Sequence, residues 1–230
     1  MVIQTTSKTE NAHSCTEGFA VYASEADHTV MSQASISARN SIYCGKYISA
    51  VTVGGLATQP NYRRNGCIRL FFDHVFSMAP DRGWVVALLH PFSFAYYRKF
   101  GFEKVSDHKV LEFPMSALNY IPRCNELVKL EDERHVGDAL RIFSQFAKPR
   151  NLMLERYDGT RYHSKTVYIW YDGNGRPASY IMLRNENYYS VNRMVGVALH
   201  VDEMAYTSCE CRMATSKNSR RSNVRQKGMV

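Results

Sequence analysis

Between residues 51 and 102, VTVGGLATQPNYRRNGCIRLFFDHVFSMAPDRGWVVALLHPFSFAYYRKFGF, the apolar positions change period twice. Ile48, Ala50 and the alternating Val51-Thr52-Val53 predict a strand through YISAVTVGGLAT, with the double glycine at 54–55 marking a bulge or a close backbone approach. Past Pro60 and Asn61, residues Ile68, Phe71, Phe72, Val75 and Phe76 recur at helical spacing and predict a helix over 66–79, closed by Pro80 and Gly83. Trp84 to Leu89 is a short continuous apolar run, which predicts a buried strand parallel to the preceding one, joined by a right-handed crossover. Residues 94–100 predict a short helix carrying Tyr96 and Tyr97, with Gly101 at its C-cap.

The flanking pattern is simpler. Residues 1–17 are polar and mixed and read as a loose lead-in. GFAVYAS (18–24) and TVMSQASI (29–36) predict a β-hairpin, and HKVLEF (108–113) a further strand. Pro114 to Pro122 is a candidate boundary. Acidic Glu131, Asp132 and Glu133 then open a helix whose apolar face is Val136, Ala139, Leu140, Phe143, Phe146 and Ala147. TVYIWY (166–171), the turn Asp172-Gly173-Asn174-Gly175 and ASYIMLR (178–184) predict a second hairpin, and residues 190–203 a long alternating strand. Hairpin, link and long glycine-containing strand thus occur twice, as in an internal duplication. Within the twenty residues after Val201-Asp202-Glu203 no arginine–glycine turn follows. The last stretch, 209–230, is polar and aperiodic.

Arg63-Arg64-Asn65-Gly66 stands where the predicted helix begins. Unpaired N–H groups and the positive end of the helix dipole meet there, and Gly66 lets the backbone approach a phosphate. The alternative is an ordinary helix start with two solvated arginines, and R-x-x-G alone does not separate the two. Composition narrows the classes. With 45% hydrophobic and 12% aromatic residues in a chain of 230, a sizeable core is expected. No run of about 18 apolar residues exists to span a membrane, and the N-terminus lacks an apolar signal core, so the cytoplasm is the expected compartment. The net charge of +8 suggests nucleic acid. Much of it, however, lies in the last stretch, where Arg212, Lys217, Arg220, Arg221, Arg225 and Lys227 face Glu210 alone and no aromatic residue offers stacking. Cys15, Cys44, Cys67, Cys124, Cys209 and Cys211 form no C-x-x-C frame, and no metal is expected.

The ordered set G-G-L-A-T-x-P-x-Y-R-R-N-G followed by P-F-S-F-A-Y-Y-R-K-F-G-F resembles the GNAT superfamily of acetyl-CoA-dependent N-acetyltransferases, and within it the Eis (enhanced intracellular survival) family. The match is densest over about 50–103 and looser from about 18 to 208. The resemblance implies an α/β (α+β) fold: a mixed, mostly antiparallel sheet with a splayed central strand, followed by a partial second lobe of the same kind. The expected divisions are an acetyltransferase lobe at 1–122, the partial lobe at 123–208 and a disordered basic tail at 209–230. That tail is a binding arm, a truncated or frame-altered end, or a solvated one. The sterol-carrier-like last domain of that family is not expected in this chain. Ile68 stands where the superfamily prefers Gly or Ala, and it either crowds the cofactor or faces the core.

The resemblance further implies acetyl-CoA as cosubstrate, with Leu56, Ala57 and Thr58 along its thioester arm and Arg63, Arg64, Asn65, Gly66, Ile68 and Arg69 around its pyrophosphate. Acetyl would pass directly to a primary amine in a ternary complex. Tyr97, which is otherwise a core aromatic, holds the acid position in Y-x-x-F-G and would protonate the departing thiolate. The family's terminal carboxylate base has no counterpart at Val230, which leaves His90 and His108 as nearby candidates. The acceptor would be a small polyamine, an aminoglycoside-like molecule or a lysine. Glu131, Asp132, Glu133, Glu155, Asp158 and Glu186 either contribute to such a site or form solvated faces. The competing reading is a catalytically impaired coenzyme A-binding scaffold, whose half-built second sheet would leave an edge exposed and favour association, a homo-oligomer included.

Overall fold

The long hairpin that carries the glycine pair is closed by two residues, Cys44 and Gly45, both with positive φ (49° and 73°). That geometry matches the right-handed twist of the flanking strands, and it sets the register Tyr43↔Lys46 from which the rest follows. The computed structural model describes residues 1–11, 14–107, 110–119, 127–190, 193–208 and 223–227. His108, Cys124, Cys209 and Cys211 lie outside them. The chain divides into two compact units, Met1–Val105 with Asn151–Glu155, and Ser106–Arg150 with Arg156–Val230. The sequence had suggested a division near 122.

The first unit begins with β1 (Val2–Asn11) and β2 (Ser14–Tyr22), then β3 (Val30–Tyr43) and β4 (Lys46–Thr58). β1 occupies the stretch read as a loose lead-in. Its polar, threonine-rich sequence carries no period, yet it pairs antiparallel with β2 along its length and stays exposed as an edge. A single 3-10 turn (Pro60–Tyr62) leads to α1 (Cys67–Arg82), β5 (Val86–Leu89) and α2 (Phe94–Arg98). The sheet order is β1-β2-β3-β4-β5, antiparallel except for the parallel β4–β5 pair. α1 runs through Pro80 rather than ending before it. Proline there removes one N–H near the helix end, and Gly83 (φ 65°) closes the last turn, its N–H bonding the Ala79 and Pro80 carbonyls. Phe71, Phe72 and Val75 of α1 are buried with Phe19, Ile36, Val51, Val53, Trp84 and Tyr97. Each such side chain contributes about 1.5–3 kcal/mol of burial.

The second unit contains β6 (Val110–Phe113), a 3-10 turn (Met115–Leu118), β7 (Leu127–Lys129) and α3 (Glu133–Ala147). The Asp132 side chain caps α3 by accepting from the His135 N–H at 2.9 Å. The chain then returns to the first unit for β8 (Met153–Leu154), which pairs with β3. Back in the second unit follow α4 (Thr160–His163), β9 (Thr166–Tyr171), β10 (Pro177–Ser190), β11 (Arg193–Tyr206) and β12 (Asn223–Lys227). The order is β6-β12-β11-β10-β9-β7, with β11–β12 the parallel pair. β12 falls within the stretch read as a tail. Among the described residues, no helix is long and apolar enough to cross a membrane.

Candidate active site

The glycine pair distorts β4 on both of its edges at one level. Toward β3, Gly54 pairs with Ser35 and Ala57 with Gln33, so Gly55 and Leu56 stand opposite Ala34 alone. Gly55 has φ 61°, the backbone of a bulge that L side chains rarely adopt. Toward β5, the parallel pairs run from Ala50↔Val86 to Val53↔Leu89 and stop. Residues Gly54 to Thr58 therefore continue β4 past its last β5 partner, as the expected splay requires. Two serines of β3 bracket the bulge: Ser35 Oγ donates to the Gly54 carbonyl (3.2 Å) and Ser32 Oγ to the Ala57 carbonyl (2.8 Å). Ser32 also bonds Thr58 Oγ1 at 3.0 Å. The sequence reading missed both serines, whose one signal is a hydroxyl opposite a Gly-Gly pair. Leu56 is half-buried against the first unit's core, whereas Ala57 is exposed.

The turn before α1 keeps the basic residues outward. Arg63, Arg64, Asn65, Gly66 and Arg69 are all exposed. Arg64 (φ 67°) and Gly66 (φ 81°) take left-handed backbone, and Gly66 is the N-cap of α1. Leu70 N–H makes the first intrahelical bond, to the Gly66 carbonyl at 3.0 Å. The N–H groups of the residues before Leu70 therefore precede any intrahelical partner. Gly66 has no side chain to cap them, and the first turn contains no acid. Donors, dipole and guanidinium groups all favour an anion there. Arg69 is held by the Phe100 ring, with its guanidinium carbon 5.5 Å from the ring centre. Ile68 packs partly against the core.

Tyr97 is 4% exposed and lies in the same core cluster as Val53, with Leu56 and Leu89 packed against that cluster. Ser93 caps its helix by accepting from the Tyr96 N–H at 3.3 Å. Rings of Phe72, Phe92, Tyr96 and Phe102 surround it at 5.3–6.3 Å. Burial, and secondarily Tyr96, push its phenol above the ordinary value, so it keeps its proton at neutral pH. His90 is exposed just past β5.

Four of the acidic candidates each have a partner of their own. Asp132 caps α3, and Glu131 pairs with Lys129 at 3.5 Å. Glu155 accepts from Asn40 at 2.9 Å, and Asp158 from the Thr160 N–H at 3.1 Å. Among the described residues no cluster of three or more His, Cys, Asp or Glu is placed to hold a metal.

No curated protein matches by sequence. Three solved structures share the fold over nearly all of the chain. A probable N-acyltransferase of Enterococcus faecalis has TM-score 0.74 and 17% identity over 94% of this chain and 55% of its own. A GCN5-related N-acetyltransferase of Anabaena variabilis has TM-score 0.74 and 16% identity, covering 93% and 56%. Eis1 of Mycobacterium abscessus has TM-score 0.65 and 14% identity, covering 94% and 57%. The chain spans little more than half the length of each. Residues 4–105, within the first unit, match the family model described as an acetyltransferase (GNAT) domain.

Proposed function

We propose that this chain is an N-acetyltransferase that passes acetyl from acetyl-CoA directly to a primary amine, with the first unit as the catalytic one. The supporting observation is the coincidence of three features in that unit: the splay of β4 from β5 at Gly54–Gly55, the arginine-flanked start of α1 at Gly66, and a protonated Tyr97 in the cluster against which Leu56 packs. The N–H groups at the start of α1 hold the pyrophosphate, and Arg63, Arg64 and Arg69 add charge. The backbone beside Leu56 orients the thioester and polarises its carbonyl. Ala57 and Thr58 continue that edge.

The amine lone pair attacks the carbonyl carbon, so that a C–N bond forms and the C–S bond breaks. Tyr97 donates its phenolic proton to the departing sulfur and regains one from solvent. The proton shed by the amine passes to a base, for which His90 is the described candidate. The acceptor class is a small polyamine, an aminoglycoside-like molecule or a lysine side chain, and the compartment is the cytoplasm.

Calorimetry with acetyl-CoA tests the first half. Wild type binds, whereas Gly66→Glu places a carboxylate at the phosphate position and weakens binding by at least about 100-fold, roughly 3 kcal/mol. Tyr97→Phe then keeps its affinity but loses on the order of 100-fold in turnover with an amine panel. Equal binding by wild type and Gly66→Glu sinks the proposal. Binding without turnover in wild type leaves the scaffold reading in its place.

A further inference from the structure

Phe92 stands in the short link between the end of β5 at Leu89 and Ser93, the cap of α2. It is 76% exposed, the most exposed of the large apolar side chains among the described residues. Its ring centre nonetheless lies 5.3 Å from that of Tyr97 and 5.2 Å from that of Tyr96. The other rings around Tyr97 belong to the core or pack against it. Two nearby exposed phenylalanines are already engaged: Lys104 lies 5.7 Å from the Phe94 ring centre, and Phe76 stacks on Phe72 at 5.7 Å. Of the four described rings around Tyr97, Phe92 is the exposed one, whereas Phe72 is buried and Tyr96 and Phe102 are half-buried. Phe92 stands three residues past the last β4–β5 pair, at the level where the sheet opens. An exposed aromatic ring in contact with the proton donor is an apolar wall for whatever reacts at that donor.

Resting on the acetyltransferase reading above, we infer that Phe92 packs against the acyl group of the bound acyl-CoA and limits the length of acyl chain accepted. The ring forms the outer wall of the acyl site, beside Tyr97. Phe92 is therefore a specificity-determining residue. It holds no proton and no charge, and it acts through volume and apolar contact alone.

The test is binding by calorimetry to the full chain, with acetyl-CoA and butyryl-CoA as probes. The proteins are wild type, Phe92→Ala, Phe92→Tyr and Gly66→Glu. Wild type favours acetyl-CoA. Phe92→Ala shifts the ratio of the two dissociation constants toward butyryl-CoA by about tenfold, the scale on which an apolar pocket discriminates methylenes. Phe92→Tyr keeps the ring and restores the wild-type ratio. An unchanged ratio in Phe92→Ala, or equal weakening toward both probes, overturns the role of Phe92 while leaving the cofactor site standing. If wild type binds neither probe, or Gly66→Glu binds as well as wild type, the acetyltransferase reading fails and this inference falls with it. Because Phe92 is largely exposed, the alanine variant is expected to melt with wild type, which thermal unfolding checks.

Discussion

The two units contain the same strand twice, and it serves opposite ends. In the first unit, Ala50 to Val53 of β4 pair in parallel with β5; in the second, Ala198 to Val201 of β11 pair in parallel with β12. Each strand then meets an irregularity in its antiparallel ladder, between Gly54 and Ala57 in β4 and at Asp202 in β11. The residues that follow the last parallel pair align as Val53-Gly54-Gly55-Leu56-Ala57 and Val201-Asp202-Glu203-Met204-Ala205. Where the first unit has two glycines, the second has two carboxylates. Asp202 pairs with Lys165 at 3.1 Å and Arg184 at 3.2 Å. Glu203, 4% exposed, takes both arms of the Arg156 guanidinium and the Tyr180 hydroxyl, with Arg161 at 3.5 Å. Arg156 in turn stacks on Phe143 of α3, 3.7 Å from the ring centre. Side chains in the second unit thus fill the level at which the first unit opens. The same backbone irregularity leaves an exposed strand edge when its residues lack side chains, and a sealed ion pair when they carry charge.

The largest expected effect breaks the sealed side. Burial alone pushes the Arg156 guanidinium down, but Glu203 overrides it and holds it above its ordinary value. Tyr180 is pushed well above its own, first by burial and then by Glu203. Glu203→Ala strands a buried cation, which costs about 3–5 kcal/mol. Each unit contains one of the chain's two tryptophans, Trp84 and Trp170. Urea unfolding in a Trp84→Phe background therefore reads the second unit. A loss below about 1 kcal/mol, within the range of exposed pairs, shows the network to be ornamental. Replacing Arg156 and Glu203 together by apolar residues is expected to recover most of the loss, because the stranded charge is gone.

A smaller effect comes from carrying the sealed chemistry into the open side. Gly54 has ordinary backbone, and a Cβ there meets only Ser35 Oγ, at 3.8 Å. Gly54→Asp copies Asp202 of the second unit without strain. It weakens acetyl-CoA binding about tenfold, or 1.4 kcal/mol, while the urea midpoint of the first unit stays near wild type. Unchanged binding means that the open level of β4 takes no part in holding the cosubstrate. Gly55 is the wrong place for this experiment, because its φ of 61° strains any side chain.

What the sequence made legible follows from how local each cause is. The glycine bulge, the Gly66 turn and the α1 face are written in neighbouring residues, and they stand where the pattern put them. β1 was invisible because pairing with β2, rather than any period of its own, makes it a strand. α1 passed the expected stop at Pro80 because a proline near a helix end forfeits a single bond. The Arg156–Glu203 pair joins residues 47 apart in sequence, and no local signal marks it. Phe92 reads as one more aromatic in an aromatic stretch, and its exposure is a property of packing alone. Tyr97 is intermediate. Its place in the chain pointed to the acid role, while its burial among four rings equally satisfies the core aromatic reading, so turnover rather than geometry separates the two.

The smallest effect compares a carboxylate of the first unit with those of the second. Glu17 on β2 is buried, which pushes its carboxyl up, but hydrogen bonds from Arg82 (2.7 Å) and Cys15 (3.4 Å) outweigh burial and hold it below its ordinary value. A depressed carboxyl stabilises the folded state above its unfolded pKa, and the contribution fades as pH falls through the lower folded value. The relevant window therefore opens near pH 4.5 and extends downward. Arg82 is 37% exposed, so solvent screens the pair and its worth stays under about 1 kcal/mol. Urea midpoints of the first unit, read from Trp84 in a Trp170→Phe background, are compared at pH 6 and pH 3.5 for Glu17 and Glu17→Gln. The protein with Glu17 loses more stability than the glutamine variant on acidification, by less than the Glu203 network is worth. Equal losses mean that the Glu17–Arg82 contact is electrostatically idle, and that the stabilising carboxylates of this chain are those of the second unit.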